Sequence, residues 1–233
     1  FVVDNQNALH SFCHAGGNHH LMACILSAAS CNKWFCEEIL KTDDFAAEQS
    51  IIIKEQLGKN DVYFLPYLMG ERSPINDTDA RGMFVGLRMD TTRADMVQAV
   101  LEGVAFAIRD NVEIARKQGI PITFSTLCGG GAKSPLWQTI LCNILNVKIA
   151  IPKTEQGPGY GAAMLAMVAA GDWENVSTCA ESLVEIKSTV TPEDDLVLRY
   201  EERYKKFKEI YPAVKKLYKK LKTKKFGSQF DLK

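Results

Sequence analysis

From Ile122 onward the residues follow an order that few folds accommodate. An apolar strand runs to Cys128, then come three glycines (Gly129 to Gly131), a helix from Pro135 to Leu145, a second strand from Val147 to Ile151, and a helix from Gly159 to Ala170. Right-handed crossovers make two such strands parallel, so the order predicts an α/β fold with a mixed sheet flanked by helices. Ligands of these sheets gather at the carboxyl ends of the strands. The glycine turn stands at one of those ends.

Upstream, Phe1 to Val3 and Ala8 to Cys13 read as the arms of a hairpin around an Asn-rich turn. His20 to Leu40 carries apolar residues at helical spacing, Phe45 to Leu57 predicts a second helix, and Val62 to Leu65 a short strand. Pro66 to Arg81 is irregular, and irregular stretches of that length are usually functional. Thr92 with Asp95 forms a capping-box pattern ahead of a helix that should run to Lys117, where Gly119-Ile120-Pro121 stops it. Past Gly171 the pattern gives a short helix, a strand over 183–190, and a long terminal helix with Pro192 in its first turn. A sheet entered at the first residue leads us to expect further sequence upstream.

Charge narrows the partners. Twenty-eight basic residues balance twenty-eight acidic ones, which leaves no overall field for a nucleic acid or an anionic membrane. The lysines from Lys205 to Lys225 mostly lie off the apolar stripe of the last helix and read as a solvated face. No apolar run reaches the roughly 20 residues that span a bilayer, and the start lacks signal-peptide order, so the cytoplasm is the expected compartment. Seven cysteines without a CxxC pair fit reduced, mostly buried thiols.

The segment Leu127-Cys128-Gly129-Gly130-Gly131-Ala132-Lys133-Ser134-Pro135 carries the strongest chemical signal. Glycines let a backbone approach a ligand, and Ser134 at the N-cap with Pro135 at N1 opens a helix whose free N–H groups attract anions. It matches neither a Walker A loop, which needs glycine at Leu127 and Ala132, nor GxGxxG, since Ser134 holds the last glycine position. A tight strand-to-helix turn is the plainer alternative. The small face of Gly157 to Ala163 suggests close packing against the sheet or a ligand loop. His10, His14, His19 and His20 fall close together around Cys13, but their spacing matches no structural zinc module, and no metal is expected there. In the long loop, Arg72 is expected to tie to Glu71. No carboxylate pair stands out as an acid-base dyad.

Gly82-Met83-Phe84-Val85-Gly86-Leu87, seven residues, and then Asp95-Met96 with Ala99-Val100-Leu101-Glu102-Gly103 resembles the carboxy-terminal signature of the FGGY carbohydrate kinases. Phe64 to Pro74 and His10 to Ala15 are similar to segments of that family's xylulokinases in particular, and the similarity fades after Asp172. The resemblance implies an actin-like, ribonuclease-H-like ATPase fold, with residues 1–233 forming the carboxy-terminal nucleotide-binding domain. By resemblance, Gly131 and Ala132 lie against the adenosine or α-phosphate of ATP, Gly130 shapes the approach, and Gly129 belongs to the same nucleotide-binding turn. Pro135 stands where relatives carry an adenine-contacting asparagine, and Ala28 starts a segment placed near the terminal phosphates. The implied substrates are ATP with Mg²⁺ and a sugar, with D-xylulose going to D-xylulose 5-phosphate. The catalytic base is an aspartate of the amino-terminal half, which is the expected partner, so this chain alone should not turn over. Self-association is left open. The alternative reading is a stand-alone actin-fold nucleotide-sensing module.

Overall fold

The computed structural model describes residue 4 and residues 8–154 and 157–221. Phe1 to Val3, Gln156 and Lys225 lie outside the described residues. The first element among the described residues is β1 (His10–Cys13), antiparallel to β2 (His19–Met22), His10 facing Met22. Gly16 and Gly17, at φ 74° and 77°, make the reversal between them. This corrects the helix expected from His20. Its first apolar positions belong to a strand and to an irregular segment whose Cys24 and Leu26 N–H groups bond to Ser73 and Glu71. The helix α1 begins only at Ala29, runs to Trp34, and continues as a π-helical turn to Leu40.

Helix α2 (Phe45–Ser50) is capped by Asp44, which accepts the Ala47 N–H at 2.9 Å. It stops seven residues short of the expected end, where Ile51, Ile52 and Ile53 follow in a row. Three β-branched residues disfavour a further helical turn. Strand β3 (Tyr63–Leu65) pairs with β4 (Met83–Val85), a strand not anticipated within the signature segment. Helix α3 (Arg93–Lys117) matches its expected bounds, with both hydrogen bonds of the Thr92/Asp95 capping box formed.

Strand β5 (Phe124–Thr126), helix α4 (Pro135–Leu145) and strand β6 (Lys148–Pro152) form the parallel unit. Helix α5 (Gly157–Ala170), helix α6 (Val176–Leu183) and strand β7 (Ile186–Val190) follow. Strand β7 pairs antiparallel with β6, so the sheet order β5-β6-β7 is mixed as expected, although β1-β2 and β3-β4 stand as separate two-stranded sheets. No residue of α5 is buried, and its partner is α6, through Tyr160 Oη donating to the Leu183 carbonyl at 2.8 Å. The close packing expected of its small face is not found.

Helix α7 (Asp194–Lys220) starts two residues after Pro192, which therefore precedes the helix instead of sitting in its first turn. Its Tyr200, Tyr204 and Phe207 pack around Phe106 of α3. Lysines on its outer side lie over tyrosine rings, Lys208 over Tyr204 at 4.8 Å and Lys215 over Tyr211 at 5.7 Å. Among the described residues no helix is long and apolar enough to cross a membrane. Cys31, Cys36, Cys142 and Cys179 are buried free thiols, whereas Cys13 and Cys128 are exposed.

Half-buried Asp110 accepts the Tyr204 hydroxyl at 2.6 Å, and loss of solvation raises its carboxyl to about 6 despite that bond and the nearby Lys208 and Arg109. A carboxyl raised on folding holds its proton longer in the folded state, so its contribution is complete below the ordinary value of 3.8 and is lost as pH rises through 6. We expect Asp110→Asn, which keeps an acceptor for Tyr204, to remove a stability loss of up to about 1.4 kcal/mol per pH unit between pH 4 and 6. Urea titrations of both proteins across that range are the measurement. Parallel pH profiles would reject the assignment.

Candidate functional site

The turn after β5 is built from local bonds. Gly129, at φ 87°, leads into a 3-10 turn over Gly130–Lys133, closed by Ala132 N–H donating to the Gly129 carbonyl at 3.0 Å. Ser134 Oγ then accepts the Trp137 N–H at 3.0 Å, capping α4 with Pro135 in its first turn. The same hydroxyl donates to Gln49 Oε1 of α2, a residue 85 positions away. Trp137 is fixed in turn by its indole N–H on the Leu101 carbonyl at 3.1 Å.

Between this turn and α1 and α2 lies a cleft of about 780 Å³. Of the residues singled out from sequence, Gly130, Gly131, Ser134 and Pro135 line it. Gly129 and Ala132 are not among its lining residues, Gly129 being exposed and Ala132 buried. Ala28 faces a different cavity, the one beneath α3, while its neighbours Ala29 and Ser30 border the cleft. The opposite wall comes from Phe45, Ala46 and Gln49, with Lys33 and Lys133 at the rim. Sequence reasoning missed this wall because α2 carries no motif, and only tertiary packing brings it to the glycines. Arg93 holds α2 in place through a two-point ion pair with Glu48, at 2.5 and 2.7 Å.

The two lining glycines differ in what surrounds them. A Cβ on Gly131 would meet the Trp137 ring at 3.0 Å, whereas one on Gly130 would meet nothing within 4 Å. Gly131 therefore packs against Trp137 while bordering the cleft, and the space in front of Gly130 is clear. An α-helix N-terminus carries partial positive charge, so the site combines oriented backbone dipoles, two ammonium groups and an apolar wall. That combination suits a ligand with a flat ring and anionic groups.

In the long loop, Glu71 is buried and accepts the backbone N–H of Leu26 at 3.0 Å and of Arg72 at 2.8 Å. The tie is thus to backbone and not to the Arg72 guanidinium as expected. Burial raises the Glu71 carboxyl, partly offset by those two bonds. Around the histidines, the His14 and His20 rings meet edge to face at 5.4 Å, and Phe12 stacks on His20. Among the described residues no three His, Cys, Asp or Glu side chains stand close enough to hold a metal ion.

The C-terminal domain of the FGGY family of carbohydrate kinases matches residues 6–170. A xylulose kinase of Staphylococcus epidermidis is 31% identical over 217 residues, covering 93% of this chain and 44% of that protein. The crystal structure of a xyloylose kinase from Brucella ovis gives a TM-score of 0.84 at 38% identity, covering 92% of this chain and 44% of that one. A gluconate kinase from Lactobacillus acidophilus gives 0.81 at 26%, covering 94% and 45%. The chain spans less than half the length of these relatives. With the signature segment, the mixed sheet and these matches together, the chain has the actin-like α/β fold of the FGGY carbohydrate kinases and belongs to that family.

Proposed function

We propose that this chain supplies the ATP-binding side of an ATP-dependent sugar kinase whose sugar is D-xylulose, phosphorylated to D-xylulose 5-phosphate. The observation that carries this reading is the cleft of about 780 Å³ roofed by the glycine turn at the carboxyl end of β5. Phosphoryl transfer depends chiefly on positioning and on charge stabilisation around the phosphates. Phe45 and Leu136 offer an adenine ring apolar surface, and the turn at Gly130 and Gly131, the start of α4, Lys33 and Lys133 face the polyphosphate. No carboxylate occurs among the described residues lining the cleft, so this donor set does not fit a protein-held Mg²⁺. An aspartate in the amino-terminal half takes the proton of the sugar hydroxyl, and that half holds the sugar. The names of the relatives favour xylulose, with gluconate as the competing substrate.

Calorimetric titration of the chain with ATP tests the nucleotide half of the proposal. Gly130→Val should weaken ATP binding about tenfold, or about 1.4 kcal/mol, since its branches enter the space kept clear before the turn. Its thermal midpoint should stay unchanged. Unaltered ATP affinity in a folded Gly130→Val protein would move the seat elsewhere. The sugar is tested by assaying the chain together with its amino-terminal half on D-xylulose and D-gluconate; preference for gluconate would reject xylulose.

A further inference from the structure

Gln49 stands on the wall of the cleft that carries no sequence motif. It follows Phe45 by four residues on α2, so the two side chains share one helix face, and both line the cleft. Ala46 and Leu136 extend the apolar surface around Phe45. A flat ring laid on Phe45 therefore turns an edge toward the Gln49 amide.

A glutamine amide has an acceptor at one end and two donors at the other, and the partner that holds one end decides which end a ligand meets. Here Ser134 decides. Its hydroxyl donates to Gln49 Oε1, while its oxygen accepts the Trp137 N–H at 3.0 Å as the cap of α4. The hydroxyl proton is thus in use, and turning the amide over would break its bond to Oε1. Gln49 is half-buried, and its Nε2 has no hydrogen-bond partner among the described residues. A donor partly shielded from water is left beside an apolar surface, and an acceptor on the edge of a ring would satisfy it.

We propose that Gln49 reads the base of the nucleotide, its Nε2 donating to a ring nitrogen of adenine, and that Ser134 is the positioning residue that holds the amide with its donors toward the ring. This rests on the cleft being the ATP seat. Adenine accepts hydrogen bonds at its ring nitrogens N1, N3 and N7, whereas its exocyclic amine donates and would set N–H against N–H. The base therefore turns a ring nitrogen, and not its amine, to α2. The glycine turn and the start of α4 are left to the phosphates, so base and phosphate contacts come from different residues and are separable by substitution.

The test is calorimetric titration of the 233-residue chain with ATP and with deaza analogues in which a C–H replaces N1, N3 or N7 in turn. One analogue should bind the unchanged chain about tenfold more weakly than ATP, as expected when a partly buried donor loses its acceptor. Gln49→Leu should weaken ATP about tenfold and bind that analogue as tightly as it binds ATP. Ser134→Ala frees the amide to turn and should shrink the ATP-to-analogue ratio to about threefold or less, while Ser134→Thr keeps it near tenfold. Loss of the α4 cap alone lowers stability without changing a ratio of affinities. Equal binding of ATP and all three analogues would overturn the reading of a ring nitrogen. Unchanged ATP affinity in Gln49→Leu, with Gly130→Val weakened as above, would overturn the role of Gln49 and leave the seat in place. A ratio unaltered in Ser134→Ala would remove Ser134 from positioning. Absence of ATP binding by the unchanged chain would reject the seat, and this assignment with it.

Discussion

Glu102→Leu is expected to lower the unfolding free energy of this protein by about 3–5 kcal/mol, the range found when one member of a buried ion pair is removed. Glu102 is fully buried on α3 and accepts from Arg203 Nη2 at 2.7 Å, Tyr200 Oη at 3.0 Å and Gln98 Nε2 at 2.7 Å. Arg203 is itself buried, its guanidinium 4.4 Å from the centre of the Tyr63 ring and donating to the Val62 carbonyl at 3.0 Å. With leucine at position 102 the cation keeps one neutral acceptor and an aromatic face, neither of which balances a desolvated charge. The double variant Glu102→Leu with Arg203→Met should recover most of the loss, because an apolar pair of similar volume has no charge to compensate. Urea denaturation of the three proteins reads both effects. A loss below about 1 kcal/mol in the single variant would mean that water reaches the pair, as at an exposed salt bridge.

The second large effect is expected at the next residue. A Cβ on Gly103 would stand 2.2 Å from the Phe64 carbonyl oxygen and 3.1 Å from its carbon. Both atoms are backbone, so no rotamer change relieves the contact, and α3 would have to lift away from β3. Overpacking typically costs about 1–3 kcal/mol, and a clash with backbone belongs at or above the top of that range. Against it stands alanine's helix propensity, worth about 1 kcal/mol over glycine. Packing wins, and Gly103→Ala should be destabilised by about 2 kcal/mol net. A denaturation midpoint equal to or above that of the unchanged protein would show that the helix shifts freely.

Both residues belong to the signature segment by which the chain resembles its family, and in the structure both serve packing of α3. What could be read from sequence was what local chemistry determines. Helices α3 and α4 have their expected starts because Thr92 with Asp95, and Ser134 with Pro135, satisfy backbone groups within a few residues. The parallel β5-β6 pair followed from strand-helix-strand order alone. The misreadings arise where partners are distant. Leu21, Cys24, Ile25 and Ala28 have helical spacing, yet the Gly16-Gly17 reversal and bonds from Cys24 and Leu26 to the long loop hold that stretch out of a helix. The glycine turn was visible as a candidate seat, but its facing wall was not, since Ser134 and Gln49 meet only once the chain is folded. Which glycine faces Trp137 and which faces open space is likewise a matter of tertiary geometry.

The bonds that hold the long loop to the last helix impose an order in time. Asp77 accepts the hydroxyl of Tyr211, and the Arg81 carbonyl accepts that of Tyr218, partners separated by 134 and 137 positions. A ribosome adding about 5–20 residues per second makes those tyrosines roughly 7–27 s after the loop. During that interval the loop has left the ribosome without the partners that anchor it. Its final shape is therefore acquired near the end of synthesis, and chaperones and proteases meet it before the helix does.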